Sequence, residues 1–401
     1  MQPCTSALVM GTNYRALGLV RCLGRRGIPV WVLETDPHML ASFSRYTERS
    51  LPWPVGDDRT QVEYLLSLPL KHQLERALLF PTDDEGAVLV ARNHEALSQR
   101  YNLTTPPWDE LRWACDKRLM YQMAESLDLD QPLTFFPRDR AELLALDCPF
   151  PVVVKPAMRM EVNQLTVDKA WLVHDRESLL RRYDEACSLL SSDLIMIQEF
   201  LPGWGEAQFS YVALCDAGRP LAFVTARRAR QVPMDFGRFS SFVETVEEPR
   251  VVEPAIRLLN ALRYTGLVEV EFKRDPRDGE YKLLDINTRV WGWHTLCGRA
   301  GVDFPYLLWL MAQGQPVPEV HAQIGVRWAR LGADLYTALR EVSRGRLSVR
   351  TYLQSLRGPI EWAIFAADDP LPFLWQLPSL PYLMAKRALQ ARKPKASSPT
   401  A

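Results

Sequence analysis

Two short runs near the middle of the chain hold an unusual concentration of oxygen ligands. Gly266-Leu-Val-Glu-Val-Glu-Phe272 alternates apolar and polar residues, Asp275 to Gly279 is rich in turn-forming types, and Tyr281-Lys-Leu-Leu-Asp-Ile-Asn287 resumes as a second run, with Arg289 just beyond. The pattern predicts a hairpin with a loop longer than two residues. Side chains two apart on a strand share a face, so Glu269 and Glu271 point one way, and Asp285, Asn287 and Arg289 line up similarly. Paired across the hairpin, these groups form a hard, oxygen-rich pocket. Mg²⁺ takes carboxylate and carbonyl oxygens in octahedral geometry and completes its shell with water and phosphate, a demand that Glu271, Asp285 and Asn287 can meet. Taken alone, a hairpin with a solvated charged face explains the same residues more simply.

Other residues of chemical interest lie upstream. Lys155 ends the apolar strand Pro151-Val-Val-Val-Lys-Pro156, where its ammonium can reach out of a sheet toward an anion or simply be solvated. Lys117 follows Asp116 at a helix start, where cations are disfavoured; a phosphate partner or plain surface exposure would account for it. Glu199 lies in Gln198-Glu-Phe-Leu-Pro-Gly203, with Glu206 shortly after. A crossing segment of this kind can offer backbone groups to an adenine edge, one carboxylate to its amino group and another to ribose hydroxyls. A strand followed by a Pro-Gly turn needs neither glutamate.

The surrounding elements alternate. Ala7 to Met10 reads as a strand, Gly11 onward as a turn and an amphipathic helix ending at Gly27, and Pro29 to Leu33 as the next strand. This βαβ start resembles a dinucleotide fold, with Glu34 and Asp36 where a ribose-binding acid would sit, but its glycine spacing is not G-x-G-x-x-G. Leu78-Leu-Phe-Pro-Thr-Asp-Asp-Glu85 reads as a strand running into a polar crevice loop whose acids can also cap the following helix. Thr104 to Trp108 marks a first boundary. Helices are then expected around Asp116 to Leu127, Glu142 to Leu146 and Glu177 to Leu190, with strands at Pro151 to Pro156, Leu194 to Ile197 and Leu221 to Thr225. The fold class is therefore α/β and α+β.

Composition narrows the alternatives. The 401 residues are 47% hydrophobic, enough to bury a substantial core in two or three domains. Lys plus Arg equals Asp plus Glu at 48 each, so there is no broad basic field for nucleic acid. The seven cysteines show no metal-ligand spacing and read as reduced thiols. With no long apolar run and no leader-like start, a cytoplasmic location is expected. The C-terminal run Pro370 to Met384 carries four prolines up to Pro381 and precedes Lys386, Arg387, Arg392, Lys393 and Lys395. Docking onto its own domain or a loose end is favoured there, with weak peripheral membrane contact as the minority reading.

The order of the pieces, Lys117, Lys155, Glu199-Phe200-Leu201 with Glu206, Glu271, Asp285-x-Asn287 and Arg289, resembles the ATP-grasp superfamily over roughly residues 110 to 315. The resemblance implies an N-terminal open parallel-sheet α/β domain (1–105), an ATP-grasp domain of two α+β subdomains (106–315, lid about 130–205) and a C-terminal extension (316–401). It implies ATP with Lys117 and Lys155 on its phosphates, Glu199, Phe200 and Leu201 at the adenine, and Glu206 on the ribose. Glu271, Asp285 and Asn287 would hold Mg²⁺, with Mn²⁺ as a substitute, and Arg289 would stabilise charge in phosphoryl transfer.

Substrate contact is expected from Arg227, Arg228, Arg230 and Gln231, since arginine forks suit carboxylates, and from Trp291, Trp293 and His294. A solvated strand edge and a hydrophobic core are the respective alternatives. Two departures from the family pattern stand out: Ala157 to Gln164 contains no glycine where relatives have a Gly/Ser-rich phosphate loop, and Asp285 replaces the usual glutamate. The implied activity is ligation of a small-molecule carboxylate, activated as an acyl phosphate, to an amine. Biotin-carboxylase-like chemistry with a non-amine acceptor and a non-catalytic nucleotide-binding module are the alternatives, and a homodimer is compatible with each.

Overall fold

The computed structural model describes residues 6–35, 39–158, 163–203, 205–234, 237 and 239–378. Asp36 and the basic tail from Lys386 to Lys395 lie outside the described residues, as does part of the glycine-free segment after Lys155.

Five parallel strands form the first sheet: β1 (Ala7–Met10), β2 (Val30–Glu34), β3 (Thr47–Pro52), β4 (Leu78–Pro81) and β5 (Asn102–Leu103), in the order β3-β2-β1-β4-β5. β1 is buried throughout, as a parallel strand covered on both faces must be. The helix Tyr14–Gly24 follows it, with the Asn13 carboxamide accepting from the N–H groups of Arg15 and Ala16 at 2.9 and 3.3 Å. Asp83 likewise caps the helix Asp84–Arg92 after β4, accepting from Gly86 N–H at 2.8 Å. Glu34 accepts from the Ser50 hydroxyl at 2.7 Å.

The second sheet is small: β6 (Thr134–Phe135), β7 (Val152–Pro156), β8 (Trp171–Val173) and β9 (Ile195–Glu199), antiparallel in the order β6-β9-β7-β8. Its own core joins Val152, Val154, Ile195 and Ile197 to Trp171 and Tyr183.

The third sheet has seven strands, β10 (Gln208–Asp216), β11 (Arg219–Val232), β12 (Phe239–Thr245), β13 (Gly266–Arg274), β14 (Tyr281–Asn287), β15 (Arg327–Ala329) and β16 (Ile360–Trp362), in the order β14-β13-β10-β11-β12-β15-β16. β10 shows how it packs. Tyr211, Ala213 and Cys215 face a core that includes Met120, Val268 and Val270, while Val212 and Leu214 face another shared with Leu17, Trp291 and Trp328. The period of two along the strand thus buries both faces.

In the C-terminal extension, β15 and β16 complete the large sheet and Ala363 and Ile364 enter the core shared with β1. One sequence expectation needs correction. The strand expected at Leu221 to Thr225 runs from Arg219 to Val232, so the arginines lie within it. Register shifts between Arg228 and Gln231 break the simple alternation that would have revealed its length. Among the described residues, no helix is long and apolar enough to cross a membrane. Trp375 of the helix Leu371–Gln376 stacks on Phe43, their ring centroids 4.1 Å apart.

A buried latch joins the two ends of the described chain. Arg21 donates to the Asp369 carboxylate at 2.9 Å and to its carbonyl at 2.8 Å, and Ser44 Oγ and Arg45 N–H complete the carboxylate's partners. The side chains are only 5% and 1% exposed. Stranding one buried charge costs about 3–5 kcal/mol. Arg21→Ala should therefore lower the urea-unfolding free energy by that order, whereas breaking the half-exposed Arg25–Asp368 pair with Arg25→Ala should cost about 1 kcal/mol or less.

Candidate active site

The hairpin β13–β14 sets Glu269 opposite Asn287 and Glu271 opposite Asp285. Across β10 and β11 the same rungs continue as Val212–Val224 and Ser210–Ala226. One sheet face thus passes from aliphatic to charged residues at Glu269. That face continues to Arg228, whose guanidinium is bonded to Glu271 and reaches Glu269 at 3.2 Å. Asn287 Nδ2 donates to both glutamates, at 3.0 Å to Glu269 and 2.8 Å to Glu271, and Ser210 Oγ donates to Glu269 at 2.9 Å. Burial raises the Glu269 pKa, Arg228 opposes this, and Glu271 adds to it.

Three lysines converge on Asp285. Lys117 is paired with it directly, and its backbone N–H bonds Ala157 O at 3.1 Å, which ties its helix to the segment leaving β7. Lys155 comes from the end of β7 and Lys169 from the residue after the short helix Gln164–Asp168. Burial alone would raise Asp285, but Lys117, then Lys155 and Lys169, outweigh it and hold the carboxyl below its usual range. Burial, followed by repulsion from Lys117, pushes Lys155 down to about 7. Lys169 is exposed as a residue, but desolvation of its ammonium still lowers its pKa, with Arg228 and Lys117 adding to the effect against Glu271 and Asp285. Lys169 donates to Gly237 O at 2.7 Å and has φ +68°, an uncommon conformation for a residue with a Cβ. Nothing in the sequence pattern singled out Lys169, which belongs to no regular strand or helix periodicity.

Arg289 extends from the end of β14 to Asp84, 2.8 Å away on the first domain, and donates to Asn287 Oδ1 at 3.2 Å. Nearby Tyr14 lies between Arg330, 4.4 Å from its ring centroid, and Arg15, at 5.9 Å. Burial would raise the Tyr14 pKa, yet Arg15, Arg330 and Arg289 together lower it. This cationic patch was also missed by sequence reading, because it joins residues from opposite ends of the chain.

The remaining expected residues are placed differently. Glu199 lies at the end of β9, its carboxylate bonded to Leu133 N–H at 3.0 Å, Arg277 at 2.8 Å and Lys282 at 3.1 Å. Phe200 N–H bonds Pro151 O at 3.0 Å and Leu201 O accepts from Lys273 at 2.8 Å, while Glu206 is exposed in the turn before β10. Arg227 pairs with Glu244. Arg230 is buried and doubly bonded to Asp334 at 2.8 Å, and buried Gln231 donates to Met234 O at 2.8 Å. Trp291 and Trp293 lie in the core, 5.7 Å apart. His294 is buried, with Nδ1 3.0 Å from Trp291 O, and burial pushes it down to about 4, so it is neutral near pH 7. A Cβ on Gly18 would come within 2.5 Å of the imidazole, so that glycine lets the first helix pack against it. Arg230, Gln231, Trp291, Trp293 and His294 are thus not grouped with the lysines and carboxylates.

Among the described residues, no group of three His, Cys, Asp or Glu side chains stands ready to hold a metal ion. The donor chemistry nevertheless suits a hard divalent cation. Glu271 uses Oε1 for Arg228 and Asn287, and Asp285 uses Oδ1 for Lys117; the second oxygen of each accepts no hydrogen bond among the described residues.

Three sheets, with a carboxylate-bearing hairpin facing one lysine from the end of a small-sheet strand and two from helix ends, make the ATP-grasp fold. A family model described as "ATP-grasp in the biosynthetic pathway with Ter operon" matches residues 191–331. The chain is 26% identical over 251 residues to a D-aspartate ligase of Enterococcus faecium, covering 58% of each chain, so it spans less than two thirds of that relative. Among solved structures it is similar to an L-amino acid ligase of Bacillus licheniformis, with TM-score 0.59 and 16% identity over 78% of this chain and 75% of that one. It also resembles the biotin carboxylase domain of the Hydrogenobacter thermophilus 2-oxoglutarate carboxylase, with TM-score 0.64 and 14% identity over 82% and 74% of the chains.

Because Lys155 titrates near 7, it is mostly neutral above that pH in the free protein, and a bound polyphosphate would favour its charged form. Nucleotide binding above pH 7 should therefore take up a proton, and Lys155→Met should remove that uptake. Titration calorimetry in buffers of different ionisation enthalpy measures it directly.

Proposed function

We propose that this chain is an ATP-dependent ligase that joins a carboxylate to an amine through an acyl phosphate. The observation that carries the reading is the meeting of Glu271 and Asp285, paired across one hairpin, with lysines from three separate segments. Carboxylates facing converging ammonium groups suit a metal-bound polyphosphate better than either charge alone does. Similarity to a D-aspartate ligase and an L-amino acid ligase supports ligation and makes amino acids the first substrates to test.

In this reading Lys117, Lys155 and Lys169 bind the ATP phosphates. Lys169 supplies by side chain some of the contacts that the glycine-free segment lacks in backbone form. Phe200 and Leu201 flank the adenine with Glu199, and Glu206 takes the ribose. Glu271, Asp285 and Asn287 would hold Mg²⁺, or Mn²⁺ in its place; the bound ion would neutralise phosphate charge. Arg228 keeps Glu269 and Glu271 together and is a positioning residue. Tyr14, Arg15 and Arg330 offer a cationic edge to the carboxylate substrate.

The chemistry is phosphoryl transfer followed by acyl transfer. A substrate carboxylate oxygen bonds to the γ-phosphorus while the bond from that phosphorus to the β–γ bridging oxygen breaks, and ADP leaves with the electron pair. The amine nitrogen then adds to the acyl carbon, loses a proton and expels phosphate. Arg289, which pairs with Asp84, stabilises charge that develops during transfer in this reading.

ADP release that requires both a carboxylate and an amine is the expected signature. Release with the carboxylate alone would instead indicate an acyl-phosphate-forming enzyme with another acceptor, and binding without turnover a nucleotide-binding module. Glu271→Ala and Asp285→Ala should each lower turnover about a hundredfold or more with the fold retained. Lys169→Met should raise the KM for ATP several-fold at nearly constant kcat, whereas Arg289→Ala should lower kcat by about 10²–10³. Steady-state kinetics on the purified variants separates these outcomes.

A further inference from the structure

The helices Leu331–Ser343 and Val349–Ser355 are fixed on their inner side by one arginine. Arg230 bonds Asp334 of the first helix and, at 3.0 Å, Ser355 Oγ of the second, with its guanidinium 5.1 Å from the Tyr352 ring. The first helix buries Ala333, Asp334, Thr337, Ala338 and Glu341, and the second buries Tyr352. Leu331, Leu335 and Leu339, spaced by four, remain exposed, as do Val349 and Leu353; the values run from 41% for Leu335 to 59% for Leu339. Side chains at this spacing form a continuous stripe along a helix.

The charge around the stripe is one-sided. Residues 331–357 contain Arg340, Arg344, Arg346, Arg350 and Arg357 against Asp334 and Glu341; both acids are buried, Asp334 paired with Arg230 and Glu341 with Arg344 and Arg346, so the segment keeps a positive surplus. A chain with no net charge thus presents a surface of leucine, valine and arginine with no exposed carboxylate in this segment.

We propose that these two helices form a peripheral docking face for an anionic phospholipid bilayer. The aliphatic side chains enter the headgroup–acyl boundary while arginine stems lie along it and their guanidinium groups pair with lipid phosphates. A second copy of the chain would bring arginines against arginines. Protein interfaces are built around aromatic anchors, whereas the outer surface here is aliphatic apart from half-buried Tyr336, and Tyr352 is turned inward. The face is built from described residues alone, those from 379 on lying outside the described structure.

The test is co-sedimentation of the full chain with phosphatidylcholine vesicles, with and without phosphatidylglycerol. Binding should require phosphatidylglycerol and weaken with salt. Leu335→Glu with Leu339→Glu should abolish it without changing the thermal melt, Leu335→Met with Leu339→Met should preserve it, and Arg350→Glu should weaken it about fivefold or more. The proposal is overturned if the chain stays in the supernatant with both vesicle types, or if the Glu variant still binds as the native chain does. It is equally overturned if sedimentation velocity shows a dimer that the Glu variant dissolves while vesicle binding is absent.

Discussion

Two glutamates side by side on one strand, Glu269 buried and Glu271 partly exposed, are the constraint around which the rest of this molecule is arranged. They occupy successive same-face positions of β13, and carboxylates that close repel each other unless a positive charge is brought to them. Arg228 provides it from β11, two strands away, and the irregular register just beyond Arg228 lets Arg228, Arg230 and Gln231 serve three different surroundings. Asn287 then bridges the pair from the other side with its amide. One guanidinium against two carboxylates leaves a negative surplus, which sits where a cation is useful.

The opposite charge arrives from elements that do not share a sheet with those glutamates. Lys155 and Lys169 belong to the small sheet and its helix, and Lys117 begins a helix tied to the same segment. Tyr121 strengthens the connection, accepting from Gln198 of β9 at 2.9 Å and donating to Leu284 O of β14 at 3.2 Å. The three ammonium groups therefore stand together only while the small sheet covers the large one. Any movement of the cover takes Lys155 and Lys169 away and leaves Asp285 with Lys117, whose helix packs on the large sheet.

What could be read from the sequence depended on whether a signal was local. The hairpin was legible because alternation and turn chemistry occur within about twenty residues, and its face-sharing carboxylates follow from strand geometry alone. Lys117 and Lys155 were visible because each marks the end of an element. Lys169 was not, since it follows a five-residue helix at positive φ and comes near Glu271 and Asp285 only through tertiary folding. Arg230 and His294 show the reverse problem. Each has the side chain expected of a binding group, but burial against Asp334 in one case and beneath Gly18 in the other can be learned only from tertiary packing.

The latch between Arg21 and Asp369 spans 348 positions of sequence. During synthesis the first helix is made long before Asp369, and it must wait with a buried-type arginine unpaired and an apolar flank uncovered, because Trp328, Ala363 and Ile364 belong to the same core. Contacts this distant in sequence are slow to close and leave sticky surface exposed in the meantime. The helix that carries Arg21 is thus completed only by chain made 348 residues after it, and until then its uncovered flank is open to any other apolar surface.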